Sequence, residues 1–245
     1  MKPKSSTLFH FTKNTTFVKN ILREGFWPRY CLEDITWYGP AAGYLAYPMV
    51  CFCDIPLSRI RDHVNFYGNY GIGVTKEWAR KNKLNPITYL SNASWFSDAI
   101  NKLYLNCRGQ NYKQYYTGSD VDLDMIMAHF KPIEGAMVIN NNPITKEFYQ
   151  ENEWRYVPSD PNISRWLTEA LFREQNTLEA ENNKTKMHCS LKIAPQDIRY
   201  IFVKSEADIP DMVNFIQTEL DYYPSSDVKI LISKIVSLDS LTEDI

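Results

Sequence analysis

Short apolar runs alternate with stretches of helical period along most of this 245-residue chain, and that alternation confines it to a mixed α and β architecture. Leu8 to Thr12 is strand-like, and Phe17, Val18, Ile21 and Leu22 then recur as one helix face. Asn14 or Thr15 supplies a cap and Gly25 a stop. Pro48 to Cys53 reads as a buried strand, Ser58 to Phe66 as a helix carrying Ile60 and Val64, and Gly71 to Thr75 and Ile87 to Leu90 as strands. A charged helical segment separates those two strands between Lys76 and Lys83.

Farther on, Trp95, Phe96, Ala99, Ile100, Leu103 and Tyr104 mark an amphipathic helix, and Val121 to Phe130 another. Ala136 to Ile139 and Glu151 to Val157 read as strands, the second stopped by Pro158. Ile163, Trp166, Leu167, Ala170 and Leu171 make a helix face, whereas Glu174 to Lys186 is the least compact-looking piece. Cys189 to Ile193, Arg199 to Lys204 and Val228 to Ile232 read as strands, with a helix from Ile209 to Leu220 and one more strand at the end. No repeat, low-complexity tract or linker interrupts the pattern, so one continuous α+β domain over residues 1–245 is expected.

With 44% hydrophobic and 14% aromatic residues the chain can build a substantial core. Its 27 basic and 29 acidic residues leave a net charge of -2, too little to recruit nucleic acid or an anionic membrane through a global field. The start lacks the apolar run of a signal peptide, and no segment approaches the roughly 20 apolar residues that span a bilayer. A soluble, cytoplasmic protein with no membrane partner is expected. Five cysteines, an odd number without framework spacing, read as reduced structural thiols. His63, His129 and His188 lack partners at metal spacing, so no metal is expected.

Two stretches carry candidate chemistry. In Glu151-Asn152-Glu153-Trp154-Arg155, a strand would turn both carboxylates to one face, Trp154 to the core, and Arg155 toward one of the glutamates as a structural partner. Far upstream, His10-Phe11-Thr12 places an imidazole and a hydroxyl on one strand face. Taken alone, Glu-x-Glu is an ordinary solvated sheet edge, and a lone histidine is a surface or satisfied core residue.

Leu8 to Thr12, Ile21 to Phe26, Met49 to Ser58, Tyr67 to Gly73 and Glu151 to Arg155, in that order, resemble the AbiGi family of abortive phage-resistance proteins. The resemblance implies phage defence, and it implies the antitoxin half of a two-gene toxin–antitoxin system with a partner toxin encoded by a neighbouring gene. A more distant resemblance is to ADP-ribosyltransferases of the DarT type, whose opening pattern also sets His and Thr before a short helix ending in Gly. It implies a split β-sheet core with surrounding helices and an NAD cleft.

That second resemblance also implies roles. Cleaving the nicotinamide–ribose bond develops an oxocarbenium-like ribose that a fixed carboxylate stabilises. Glu153 takes that role, and Glu151 orients the acceptor, a protein or nucleic acid. His10 and Thr12 meet the ribose of NAD, the substrate, and Tyr67 or Tyr70 stacks on nicotinamide. The chain departs from the pattern in lacking an obvious Ser-Thr-Ser-like middle motif and a certain equivalent of the DarT arginine, for which Arg59 or Arg61 stands nearest. Two functions follow: an ADP-ribosyl-transferring or NAD-cleaving transferase, or a catalytically inert antitoxin that binds its toxin. A third reading rests on Tyr104, Tyr112, Tyr115 and Tyr116 with Lys102, Arg108 and Lys113, a basic-aromatic set in and beside the 108–119 loop that suits stacking on single-stranded nucleic acid or a plain solvated loop.

Overall fold

The computed structural model describes residues 6–38, 43–91, 94–109, 118–139 and 142–243. In chain order come β1 (Thr7–Thr12), α1 (Thr15–Glu24), β2 (Arg29–Asp34), β3 (Tyr44–Cys53), α2 (Ile60–Tyr67), β4 (Tyr70–Thr75) and α3 (Lys76–Lys81). There follow β5 (Asn85–Pro86), β6 (Thr88–Leu90), α4 (Trp95–Gly109), α5 (Gly118–Met127), β7 (Phe130–Pro132), β8 (Glu134–Ile139), β9 (Asn142–Glu147) and β10 (Glu153–Tyr156). The last part holds β11 (Leu167–Thr168), α6 (Glu169–Arg173), α7 (Gln175–Cys189), β12 (Ile198–Val203), α8 (Ile209–Glu219), α9 (Ser225–Ile232), β13 (Ile235–Ser237) and α10 (Leu238–Glu243). The fold is mixed α+β, as the alternating pattern predicts.

The main sheet runs β13-β12-β4-β1-β3-β10-β5, antiparallel except for the β12–β13 pair. β1 matches β4 along its whole length, from Thr7 opposite Thr75 to Thr12 opposite Tyr70. Against β3 it pairs only at Phe9 and Cys53. The sheet therefore has a seam between β1 and β3. β3 itself is shared, its first half pairing with β2 and β11 and its last four residues with β10.

Alternation along the strands sorts side chains onto two faces. One face buries Leu8, Phe52, Ile72 and Ile201 with Val18 and Leu22 of α1, Trp78 of α3 and Met212 of α8. Because Val18 and Leu22 lie one turn apart, α1 presents a single apolar stripe to this face, and Asn14 caps it by accepting from the Phe17 amide at 3.2 Å. The opposite face buries Phe9, Phe11, Cys53 and Phe202 under Ile60 and Val64 of α2 and Leu238 of α10. A third cluster joins Tyr47 and Met49 of β3 to Tyr104 of α4 and Met127 of α5.

Several expected elements take other forms. The strand expected from Glu151 to Val157 begins only at Glu153, because Glu151 ends a 3-10 turn and Asn152 is left-handed at φ 46° and ψ 55°. Asn is among the few residues that adopt that conformation readily, and here its side chain is also tied across to the end of β3 by donating to the Asp54 carbonyl at 3.2 Å. Ile163 to Trp166 is irregular rather than helical, and the helix there is the short α6. The run expected as a strand from Val228 is α9, packed through Leu231. Short apolar runs suit a helix as well as a strand, and tertiary packing decided.

Glu174 to Lys186, which looked least compact, lies almost wholly in α7. Its order comes from polar ties instead of an apolar stripe. The Trp27 indole donates to the Asn182 carbonyl at 2.7 Å, and the Asn182 side chain accepts the Tyr30 amide at 3.0 Å. Cys189 ends this helix, and only a single bridge from Phe26 to Leu191 remains of the strand expected there. β2 and β9 were not legible at all, since Arg29–Asp34 and Asn142–Glu147 carry too many polar residues to alternate cleanly. Most of the tyrosine-rich 108–119 loop, including Tyr112, Tyr115 and Tyr116, lies outside the described residues.

Candidate functional site: a buried network of acids and bases

β10 sits beside β3 with Glu153 opposite Cys53 and Arg155 opposite Cys51. Glu153 and Arg155 therefore share the face that carries α2, while Trp154 turns to the other core. Both side chains are almost wholly enclosed, Glu153 at 4% exposure and Arg155 at 1%. A charge so placed must find partners, because desolvating an ion costs several kcal/mol even after relaxation.

Arg155 donates from Nε to Glu153 at 2.6 Å, from Nη1 to the Ala128 carbonyl at 2.7 Å, and from Nη2 to Glu33 at 2.9 Å. Lys131 of β7 reaches the second oxygen of Glu153 at 2.9 Å and lies 3.6 Å from Glu151. Glu151, also 4% exposed, pairs with Lys146 of β9 and accepts the Tyr67 hydroxyl. Lys146 donates to that same hydroxyl at 3.1 Å. Three carboxylates, Glu33, Glu151 and Glu153, thus face three cations, Lys131, Lys146 and Arg155.

The two glutamates converge, although not as a strand pair. The left-handed Asn152 turns the chain between them, and Lys131 joins them. Burial pushes the Glu153 carboxyl up, yet Arg155 and then Lys131 overcome it and hold it below the usual carboxylate range. Glu151 is likewise held low, burial being outweighed by Lys131 and Lys146. Burial works against the protonated Lys131 and Arg155, but Glu153 and Glu33 keep both charged. Tyr67 is pushed up by burial and the adjacent Glu151, so its hydroxyl stays a donor. His63, one helical turn before Tyr67 and 4.5 Å from its ring, is lowered by burial to about 4 despite the opposing field of Glu151.

His10 and Thr12 occupy different ground. By alternation they share the face of Leu8, opposite to Glu153, and the His10 ring packs edge-on to Phe26 and tilted against Phe52, with centroids 5.4 and 5.6 Å away. Its Nδ1 lies 2.8 Å from the Cys51 carbonyl. A carbonyl only accepts, so Nδ1 carries the proton and Nε2 is left as an acceptor. The ring thereby spans the seam where β1 leaves β3. Burial lowers its pKa, opposed by that carbonyl bond, and keeps it neutral. Thr12 Oγ1 is buried with no hydrogen-bond partner among the described residues.

The sequence-predicted residues therefore fall into two groups. Glu151, Glu153 and Tyr67 meet in the ionic network, whereas His10, Thr12 and Tyr70 line the other side of the sheet. Tyr70, opposite Thr12, packs against the larger core, and its hydroxyl is pushed up by burial and the nearby Asp208. Arg59 donates to the Gln150 side chain on the surface. Arg155, expected as a minor partner of a glutamate, is instead the most enclosed charge in the network. Lys131, Lys146 and Glu33 carried no signal in the sequence, because each is an ordinary charge in a short strand whose partners arrive from distant parts of the chain. Cys51 and Cys53 are pushed well up by burial and are poor nucleophiles. Among the described residues, no three His, Cys, Asp or Glu side chains are grouped to hold a metal ion, and no helix is long and apolar enough to cross a membrane.

The fold and site define a mixed α+β protein with a closed network of ion pairs at its polar centre. The chain belongs to the AbiGi family: the family profile described as "Putative abortive phage resistance protein AbiGi, antitoxin" matches residues 24–204. It is 29% identical over 221 residues to the abortive phage resistance protein AbiGi of Lactococcus lactis subsp. cremoris, covering 80% of this chain and 88% of that protein. No solved structure matches it.

Proposed function

We propose that this protein is a cytoplasmic antitoxin of a phage-defence module, restraining a partner toxin by binding and not by catalysis. The observation that carries this reading is the closure of the network. Glu153 is enclosed and engaged on both oxygens, by Arg155 and by Lys131. A carboxylate that stabilises a developing oxocarbenium ion must face the substrate, and this one faces two cations of its own chain. The family description, which includes the word antitoxin, agrees with it. Co-expression with the product of the neighbouring gene tests the reading: the two proteins are expected to purify together and the toxin's growth arrest to be relieved. Separate elution with arrest unrelieved would sink it.

A second reading keeps the sheet seam as an NAD cleft in an ADP-ribosyltransferase-like fold, with a protein or nucleic acid as acceptor of ADP-ribose. The observation in its favour is the parting of β1 from β3 beside His10, whose Nε2 is left to accept a hydrogen bond from a ribose hydroxyl. In this reading β1 and β3 part far enough for one NAD molecule to reach both His10 and, on the opposite face, Glu153, which Arg155 and Lys131 release to stabilise the ribosyl cation while Glu151 and Tyr67 serve the acceptor and the nicotinamide. Isothermal titration with NAD separates the two readings. Binding that His10→Ala abolishes, with turnover that Glu153→Gln abolishes, favours the transferase; no heat and no turnover leaves the antitoxin.

A further inference from the structure

Between β10 and β11 the chain runs from Val157 to Trp166 without regular structure. Surface segments without regular structure commonly carry function. This one is firmly tied. Tyr30 donates its hydroxyl to the Ser164 carbonyl, the Trp166 indole donates to Asp124 of α5 at 3.2 Å, and Arg165 pairs with Asp124 at 3.1 Å. Pro158 and Pro161 fix φ on either side of Asp160. The segment folds over a half-open cavity of about 740 Å³ that it shares with Tyr47 and Met125. That volume lies within the range of sites that enclose a small ligand or a large side chain.

The lining has two parts. Tyr47, Val157, Ile163 and Trp166 supply apolar and aromatic surface. Among the described lining residues the charges are Asp124, Asp160 and Arg165, one net negative charge. Arg165 is paired with the buried Asp124, whereas Asp160 is open to solvent. Its Oδ1 accepts the Asn162 amide at 2.8 Å and the Asn162 side chain at 2.9 Å, while Oδ2 has no partner among the described residues. The Asn162 amide holds the Asp160 carboxyl below its ordinary range, so it is ionised at neutral pH.

We infer that this cavity receives a lysine or arginine side chain of a partner protein, its aliphatic stem on Ile163 and Trp166 and its cationic head on Oδ2 of Asp160. Long basic side chains match such a site because they combine an apolar stem with a charged tip. A neutral apolar anchor would gain nothing from the solvent-facing Asp160 carboxylate, and an acidic one would be repelled. The inference rests on the antitoxin reading and gives that reading a docking point.

The test uses the full-length protein and the product of the neighbouring gene, with affinity measured by titration calorimetry at two salt concentrations. Asp160→Lys is expected to weaken binding at least tenfold. Asp160→Asn, which keeps the turn, is expected to lose part of the wild type's salt dependence, and unchanged circular dichroism and melting exclude misfolding. Wild-type binding with Asp160→Lys at full affinity overturns the docking point alone. Absence of wild-type binding overturns the antitoxin reading and the docking point with it.

Discussion

Arg155 shows how much of this site depends on a single side chain. It holds Glu153 and Glu33 from one guanidinium while satisfying the Ala128 carbonyl. Arg155→Met would leave Glu33 without its guanidinium and Glu153 with Lys131 alone, and breaking a buried pair in this way costs about 3–5 kcal/mol. Urea unfolding is expected to show that loss as a lower midpoint at unchanged slope. The double variant Glu153→Gln/Arg155→Met is expected to lose less than the sum of the two single changes, since the partners act together. A single variant within about 1 kcal/mol of wild type would mean that the charges are solvated after all. The Glu-x-Glu spacing was legible in the sequence, but its chemistry was not. Carboxylates look alike in a sequence whether they meet water, substrate or three cations.

At the scale of elements, the turn between α2 and β4 sets the register of the sheet. Gly68 closes α2 with φ at 113°, and a Cβ there would run into the carbonyl of Thr12 at the end of β1. Gly68→Ala is therefore expected to destabilise by more than about 2 kcal/mol, since both the left-handed conformation and the close backbone approach are lost. Thermal melting measures it, and a variant as stable as wild type would show that β1 and α2 can separate freely. α1, β1, β4 and α8 were legible because period and caps agree. α9 and α7 were not, the first because its apolar run suits either element, the second because Trp27 and Tyr30 hold it from outside.

Across the whole molecule, the enclosed carboxylates and imidazoles bias stability in one direction on the acid side. Glu151 and Glu153 ionise more readily folded than unfolded, so their contribution is complete above the ordinary glutamate pKa of about 4.3 and is lost as pH falls below it. His63, depressed to about 4 from 6.5, contributes fully above pH 6.5, and that contribution is lost toward pH 4. His10 and His129 are depressed as well and act with the same sign. The urea midpoint should be level from about pH 7 to 8 and, on the acid side, fall in two stages, from about 6.5 to 4 and then more steeply. His63→Gln should shrink the first stage. A midpoint constant from pH 7 to 4.5 would contradict this account.

The sequence by itself determined the α+β class, the first strand and helix, the identity of the two glutamates and the resemblance to AbiGi proteins, because these follow from local period, caps and contiguous residues. Only the tertiary structure decided that Glu153 is closed off, that His10 lies across the sheet from it, and that Lys131, Lys146, Arg155 and Glu33 balance the glutamates. Those contacts join residues from β2, β7, β9 and β10, and local periodicity carries no information about which distant charge will arrive to neutralise a buried one.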